Sequence, residues 1–130
     1  MAAAIIWDDA GQRLLISRRP DHLHKGGCWE FPGGKIEAGE TAEAALAREL
    51  AEELDIGFGR SAFYRRIDYC YPEKTVSLHF YQIYSVSGDV NANEGQEWRW
   101  VLPAELAGLH FPEANQPIVD ALLYHACPLP

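Results

Sequence analysis

Gly34 is followed by Glu40 and then by Arg48-Glu49-Leu50-Ala51-Glu52-Glu53, a pattern that sets four glutamates and one arginine at fixed spacings. At i, i+3 and i+4, Glu49, Glu52 and Glu53 place their carboxylates on one side of a helix within about one turn. Left uncompensated, they repel one another. The usual fate of such a run is a solvated face, here with Arg48 paired to Glu52 at i, i+4. The context favours another reading, because Glu30-Phe31-Pro32-Gly33-Gly34-Lys35 precedes it and a glycine turn can bring main-chain carbonyls beside the acids. Hard oxygen donors without His or Cys suit Mg²⁺, with Mn²⁺ as the alternative, and Mg²⁺ keeps positions open for water and phosphate. Such a cation would offset the repulsion, hold phosphate oxygens and lower the pKa of a water for in-line attack on phosphorus. Hydrolysis of a diphosphate bond is the chemistry these residues fit.

Elements on both sides must hold this cluster in place. Thr41 is a fitting N-cap, Glu43 lies in the first turn, and Ala42–Leu54 is rich in helix formers without Gly or Pro. Leu46, Leu50 and Leu54 form an apolar stripe, and Glu53 falls beside it, at the margin of the buried face. Upstream, residues 3–7 and 13–17 flank Asp8-Asp9-Ala10-Gly11 and predict a hairpin. A long loop over 18–27, a short strand at Trp29-Glu30-Phe31 and a tight turn at Pro32-Gly33-Gly34 follow. Downstream, residues 62–71 and 75–87 predict a long hairpin, 88–95 a polar loop, 98–102 a strand, and Pro103 a short helical turn. Pro117 at a first helical position opens a last amphipathic helix, with Ile118, Leu122 and Leu123 facing inward. Strands mixed with two main helices predict an α/β fold, a sandwich in which helices cover both faces of a mixed sheet.

Composition narrows the partners. The 130 residues, 48% of them hydrophobic, suit one domain over 1–130 with a real core. A formal net charge of −8 opposes binding to polymeric nucleic acid but not to free nucleotides, which arrive with a divalent cation. No apolar run approaches the ~18 residues that cross a bilayer, and no basic segment with a cleavage site opens the chain, so no membrane association is expected. Cys28, Cys70 and Cys127 are odd in number and widely spaced, which fits a reducing cytoplasm rather than a disulfide framework or zinc cage. His22, His24, His79, His110 and His125 show no ligand spacing. Trp29, Trp98 and Trp100 read as packing residues. The strand that starts almost at Met1 and the Pro-rich residues 125–130 raise the expectation of a domain cut from a longer protein.

Taken together, Gly34-x5-Glu40-x7-Arg48-Glu49-Leu50-x-Glu52-Glu53-x-x-Ile56 resembles the box of the Nudix hydrolases. One position departs: the family pattern has Gly where this chain has Asp55, an exchange that bears on the loop after the helix more than on the chemistry. Ser17-Arg18-Arg19, Trp29 to Lys35, Glu94-Gly95-Gln96 and Phe111-Pro112-Glu113-Ala114-Asn115 further resemble the MutT-type subgroup, which hydrolyses oxidised guanine nucleoside triphosphates. The resemblance implies a Nudix-type α/β/α sandwich. It also implies metal ligands at the Gly33 carbonyl and at Glu49, Glu52, Glu53 and Glu94, with Glu49 or Glu94 activating the water. Arg48 then orients a box glutamate and Glu40 braces the loop. Arg19 and Lys35 match positions near the phosphates, while Phe31, Leu78 and Asn115 match the base pocket. An Asn amide both donates and accepts, and oxidation at C8 turns guanine N7 from acceptor to donor, so Asn115 is suited to read the lesion. The implied activity is Mg²⁺-dependent hydrolysis of 8-oxo-dGTP to the monophosphate and pyrophosphate by a cytoplasmic monomer, which cleans the nucleotide pool before replication. The alternatives are a diphosphatase for CTP, another nucleotide or a nucleotide sugar, and a non-catalytic nucleotide-sensing module.

Overall fold

A computed structural model describes residues 1–123; His125, Cys127 and the expected tail or linker at 125–130 lie outside the described residues. Seven strands, β1 Ala2–Trp7, β2 Leu14–Arg18, β3 Trp29–Glu30, β4 Gly33–Gly34, β5 Gly57–Cys70, β6 Thr75–Ser87 and β7 Trp98–Val101, form one mixed sheet. The helix α1 spans Ala42–Leu54 and α2 spans Gln116–Leu123, with 3-10 turns at Pro103–Gly108 and Glu113–Asn115. The main strand order is β3-β2-β1-β6-β5, with β4 on β1 and β7 on β2. Among the described residues only β1 and β6 run parallel.

The six residues of β1 are all buried, which an amphipathic strand with one wet face could not be. Period-2 alternation explains it: Ala3, Ile5 and Trp7 join Phe31, Phe80, Ile118 and Leu122, whereas Ala4 and Ile6 join Leu46, Leu50 and Leu54. Each face thus carries its own core, α1 on one side and α2 on the other, as the pattern predicts. Among the described residues no helix is long and apolar enough to cross a membrane.

Two local expectations change. Gly33-Gly34 is not a turn but a strand paired antiparallel to Ala3 and Ala2. Neither glycine adopts a positive φ; what they supply is the missing Cβ, since one at Gly33 would sit 2.0 Å from the Ala2 carbonyl oxygen. Gly33→Ala should therefore cost about 3 kcal/mol or more, read as a lower urea midpoint, because backbone rather than a flexible side chain blocks the methyl. The long hairpin also starts earlier than residue 62, at Gly57, directly after α1. Gly59 lies opposite Ser85, and a Cβ there would approach the Ser85 Cβ to 3.2 Å. Without side chains at Gly57 and Gly59, this end of the strand pairs closely with β6.

Candidate active site

Helix α1 forms where predicted and is capped as predicted: the Thr41 side chain accepts from the Ala44 N–H at 3.1 Å. With Leu46, Leu50 and Leu54 buried against the sheet, the rotation of the helix is fixed, and Glu49 comes to β4 with Glu53 bonded to it. A Cβ on Gly34 would fall 2.4 Å from the Glu49 carboxylate carbon, so the carboxylate rests directly on that backbone. This is the close approach of glycine main chain and acid that the sequence suggested.

Arg48 organises the neighbourhood. Its Nε and Nη2 donate to the two oxygens of Glu40 at 2.9 and 3.0 Å, Nη2 also to the Lys35 carbonyl at 3.0 Å, and Nη1 to Glu49 at 2.8 Å. Glu40 in turn accepts from the Glu37 N–H at 2.9 Å, and the Arg48 guanidinium holds its carboxyl down to about 2. The planar fork thus ties the loop from Lys35 to Glu40 to the helix while steering Glu49. The i, i+4 contact to Glu52 is longer, 3.7 Å, so the acidic run is not a simple helix pair. Arg48→Lys cannot reproduce a bidentate and two further bonds, and turnover should fall about 10–100-fold with little change in KM. Steady-state kinetics would check it; unchanged kcat would show the fork to be dispensable.

Glu53 is the most perturbed group. Burial first, then its hydrogen bond with Glu49 and the charges of Glu49, Glu94 and Glu30, push its carboxyl up to about 9. Glu94, far off in the loop before β7, therefore does come close enough to act on Glu53 and on Glu30. Among the described residues no three Asp, Glu, His or Cys side chains stand together as a closed chelating set. The expected cage is looser than the sequence implied: Arg48 draws Glu49 aside, and the Glu52 side chain is 62% exposed. The donor chemistry still fits a hard divalent cation, since the Glu49 carboxylate rests on the Gly34 backbone, Glu53 bonds Glu49 and feels Glu94, and among the described residues no cation pairs with Glu53.

Beside this edge opens a cavity of about 320 Å³, lined among others by Arg19, Phe31, Gly33, Lys35, Leu78 and Asn115. The five substrate contacts expected from sequence, drawn from distant parts of the chain, thus share one space. Arg19 is held by Nε to the His24 carbonyl and by Nη1 to Glu30, both at 2.8 Å. Phe31 is core as well as wall, stacked on Phe111 at 5.2 Å between ring centroids. Asn115 is 8% exposed, and its amide makes no hydrogen bond to another described residue, so local capping does not hold it there. Lys35 is exposed at the rim.

Sequence reasoning missed three participants. Glu30, quoted only as part of a run, anchors Arg19 while burial raises its own carboxyl. Tyr71 accepts from the Ala114 N–H at 2.9 Å, next to Asn115, and thereby fixes that turn. His24, read as bland, packs edge-on against Tyr71 and bonds Glu73. Their partners are far away in sequence, and no spacing signals them. The tryptophans divide: Trp29 is buried beneath Arg99 and Trp100 packs on the α1 face, whereas Trp98 is 36% exposed and belongs to neither core.

Comparison with known proteins shows the family and the fold. Residues 2–121 match the family model described as NUDIX domain. The chain is 39% identical over 123 residues to an 8-oxo-dGTP diphosphatase of Haemophilus influenzae, covering 95% of this chain and 90% of that one. It is 31% identical over 123 residues to a CTP pyrophosphohydrolase of Escherichia coli, with the same coverage. A MutT structure from work on Aliivibrio salmonicida and Vibrio cholerae superposes with a TM-score of 0.81 at 39% identity, covering 94% of each chain.

Proposed function

This chain belongs to the Nudix family and is a Nudix hydrolase, and from that premise we propose that it cleaves a nucleoside triphosphate, preferentially 8-oxo-dGTP, to the monophosphate and pyrophosphate. The observation that carries the reading is the shared cavity, in which Arg19, Lys35, Phe31, Leu78 and Asn115 meet beside the Gly33-Gly34 edge. Its size is at the lower end of small-molecule sites, roughly 300–1,000 Å³. Glu49, Glu52, Glu53, Glu94 and the Gly33 carbonyl are the groups that would hold Mg²⁺, or alternatively Mn²⁺. The cation, when bound, supplies positive charge for the phosphate oxygens and acidifies the attacking water.

The chain's own residues do the rest. Arg19, anchored through Nε and Nη1, directs its remaining Nη2 donors to a phosphate, and Lys35 adds charge at the rim. Glu49 or Glu94 takes the proton of the water as its oxygen bonds to phosphorus. The α–β bridging oxygen leaves with the bond electrons. Asn115 accepts from the N7–H that only the oxidised base carries. In this reading the chain is one Nudix domain, whether or not it belongs to a longer protein, and acts as a cytoplasmic monomer that removes oxidised guanine nucleotides before they enter DNA.

The similarity to the Escherichia coli CTP pyrophosphohydrolase favours a second substrate class, an unmodified pyrimidine triphosphate. Kinetics on 8-oxo-dGTP, dGTP, CTP and a nucleotide sugar, each with and without Mg²⁺, separate the two. The expected result is a kcat/KM for 8-oxo-dGTP about 100-fold above the others and lost without Mg²⁺. A preference for CTP would overturn the choice of substrate.

A further inference from the structure

The loop that carries Glu94 is fastened to the C-terminal end of α1, and the fastening uses the one residue that departs from the box. A helix leaves its last carbonyls without intrahelical partners. Here the Asp55 N–H reaches the Ala51 carbonyl at 3.2 Å and the Ile56 N–H reaches Leu50 at 3.4 Å. The loop supplies the others: Asn91 N–H donates to the Leu54 carbonyl at 3.0 Å, Asn93 N–H to Glu53 at 3.0 Å, and Gln96 Nε2 to Glu53 at 3.2 Å. Asn93 Nδ2 donates to the Glu52 carbonyl at 2.8 Å and, at 2.9 Å, to Oδ1 of Asp55. Gln96 Oε1 then accepts from the Glu94 N–H at 3.0 Å. Glu94 is thus registered, bond by bond, to the backbone of Glu52 and Glu53.

Asp55 has φ 57° and ψ 29°, the left-handed conformation that glycine adopts freely and that Asp and Asn tolerate better than other residues, at some cost. An aspartate there is disfavoured by its backbone, and what it offers instead is a carboxylate facing Asn93. The loop also begins hard against this residue: Gly88 has φ 88°, and a Cβ on it would lie 2.9 Å from the Asp55 carbonyl oxygen.

We propose that Asp55 and Asn93 are positioning residues for hydrolysis, a strap that holds Glu94 at the working distance from Glu49 and Glu53. The inference deepens the reading of Glu94 as ligand or base and rests on it. Glycine at position 55 would leave the loop tied by main chain, Gln96 and the Asn93 bond to the Glu52 carbonyl, without the side-chain pair that fixes Asn93 from its other side. With aspartate, one charge-assisted bond closes the strap on the side facing solvent.

The test compares Asp55→Gly, Asp55→Asn, Asn93→Ala, the double variant Asp55→Gly/Asn93→Ala, and Glu94→Gln in the whole chain at saturating Mg²⁺ with 8-oxo-dGTP as probe. Asp55→Gly relieves the left-handed strain, so it should fold at least as well as the parent. It should nevertheless lower kcat roughly tenfold, the low end for outer partners of metal ligands, with KM within about twofold. Asp55→Asn, which tolerates the same φ and keeps an acceptor, should return kcat to within about twofold of the parent. The double variant should be no slower than Asn93→Ala alone, because both remove the same strap. Amide exchange at residues 91–96 should quicken in Asp55→Gly. A role confined to capping the helix would move Tm and leave kcat alone. Parental kcat in Asp55→Gly alongside a crippled Glu94→Gln overturns the strap but leaves the Glu94 reading standing. Parental kcat in Glu94→Gln removes that reading, and the strap with it.

Discussion

Glu53→Gln should lower kcat about 1,000-fold or more and, in metal-free protein at alkaline pH, raise stability. The loss follows from the proposed ligand set: removing one anionic oxygen from a cation that stabilises phosphoryl charge forfeits several kcal/mol, about 1.36 for each tenfold. The gain follows from the raised carboxyl. In the unfolded chain a glutamate releases its proton near 4.5, whereas folding holds that of Glu53 up to about 9 through burial and its acidic neighbours. Between those values the folded state binds more protons, so stability is fully present below about 4.5 and is lost as pH rises through the folded value. Glutamine has no such loss. With EDTA present, the variant should be level with the parent near pH 5 and more stable by about 1–2 kcal/mol near pH 9, a figure discounted for partial solvent screening. Adding Mg²⁺ reverses the order, since the parent, with its full ligand set, gains more from binding to the folded form than the variant does. Thermal melts at both pH values with and without Mg²⁺ check each arm. Hydrolysis at the parental rate would remove the metal site, and a pH-independent difference in EDTA would remove the electrostatic account.

The parts of this site that local rules govern could be read from the sequence. Thr41, the leucine stripe and the spacing of Glu49 and Glu53 lie within one helix, where cap chemistry and a 3.6-residue period decide the outcome. The two-faced burial of β1 was legible in outline, as strands mixed with helices, but which residue faces which helix depends on pairing partners far along the chain. Gly33-Gly34 shows the limit. Locally the pair reads as a turn; its real requirement comes from Ala2 and Glu49, neither of which a local window contains. The same holds for Glu30 under Arg19, for Tyr71 under Ala114 and for Asn93 against Asp55, contacts set by tertiary fit between polar residues that carry no periodicity. The departure at Asp55 was visible at once, but its use was not. Only the loop that returns beneath the helix gives the carboxylate a partner.

Asn115→Ala should abolish discrimination rather than catalysis. The amide sits in the cavity wall, is largely buried, and makes no hydrogen bond to another described residue, so its removal leaves the packing of α2 and the glutamate edge in place. What it removes is an acceptor suited to the N7–H of an 8-oxo base. An unoxidised guanine presents an acceptor at N7, so in the same orientation two lone pairs would face each other there, and the amide could pair with it only by turning its NH2 inward and giving up its other contact to the base. Sites of this kind can discriminate by up to about 10⁴–10⁵. One of several contacts should carry part of that, about 100-fold in kcat/KM for 8-oxo-dGTP, with dGTP changed by less than about tenfold. Direct competition between the two nucleotides reads the ratio without depending on enzyme concentration. Asn115→Asp sharpens the point: it keeps an acceptor for N7–H but loses the donor and adds charge. It should bind both nucleotides poorly while retaining some preference for the oxidised one. Equal losses on both substrates in Asn115→Ala would make Asn115 part of the wall and move the reading of the lesion to another residue of the cavity.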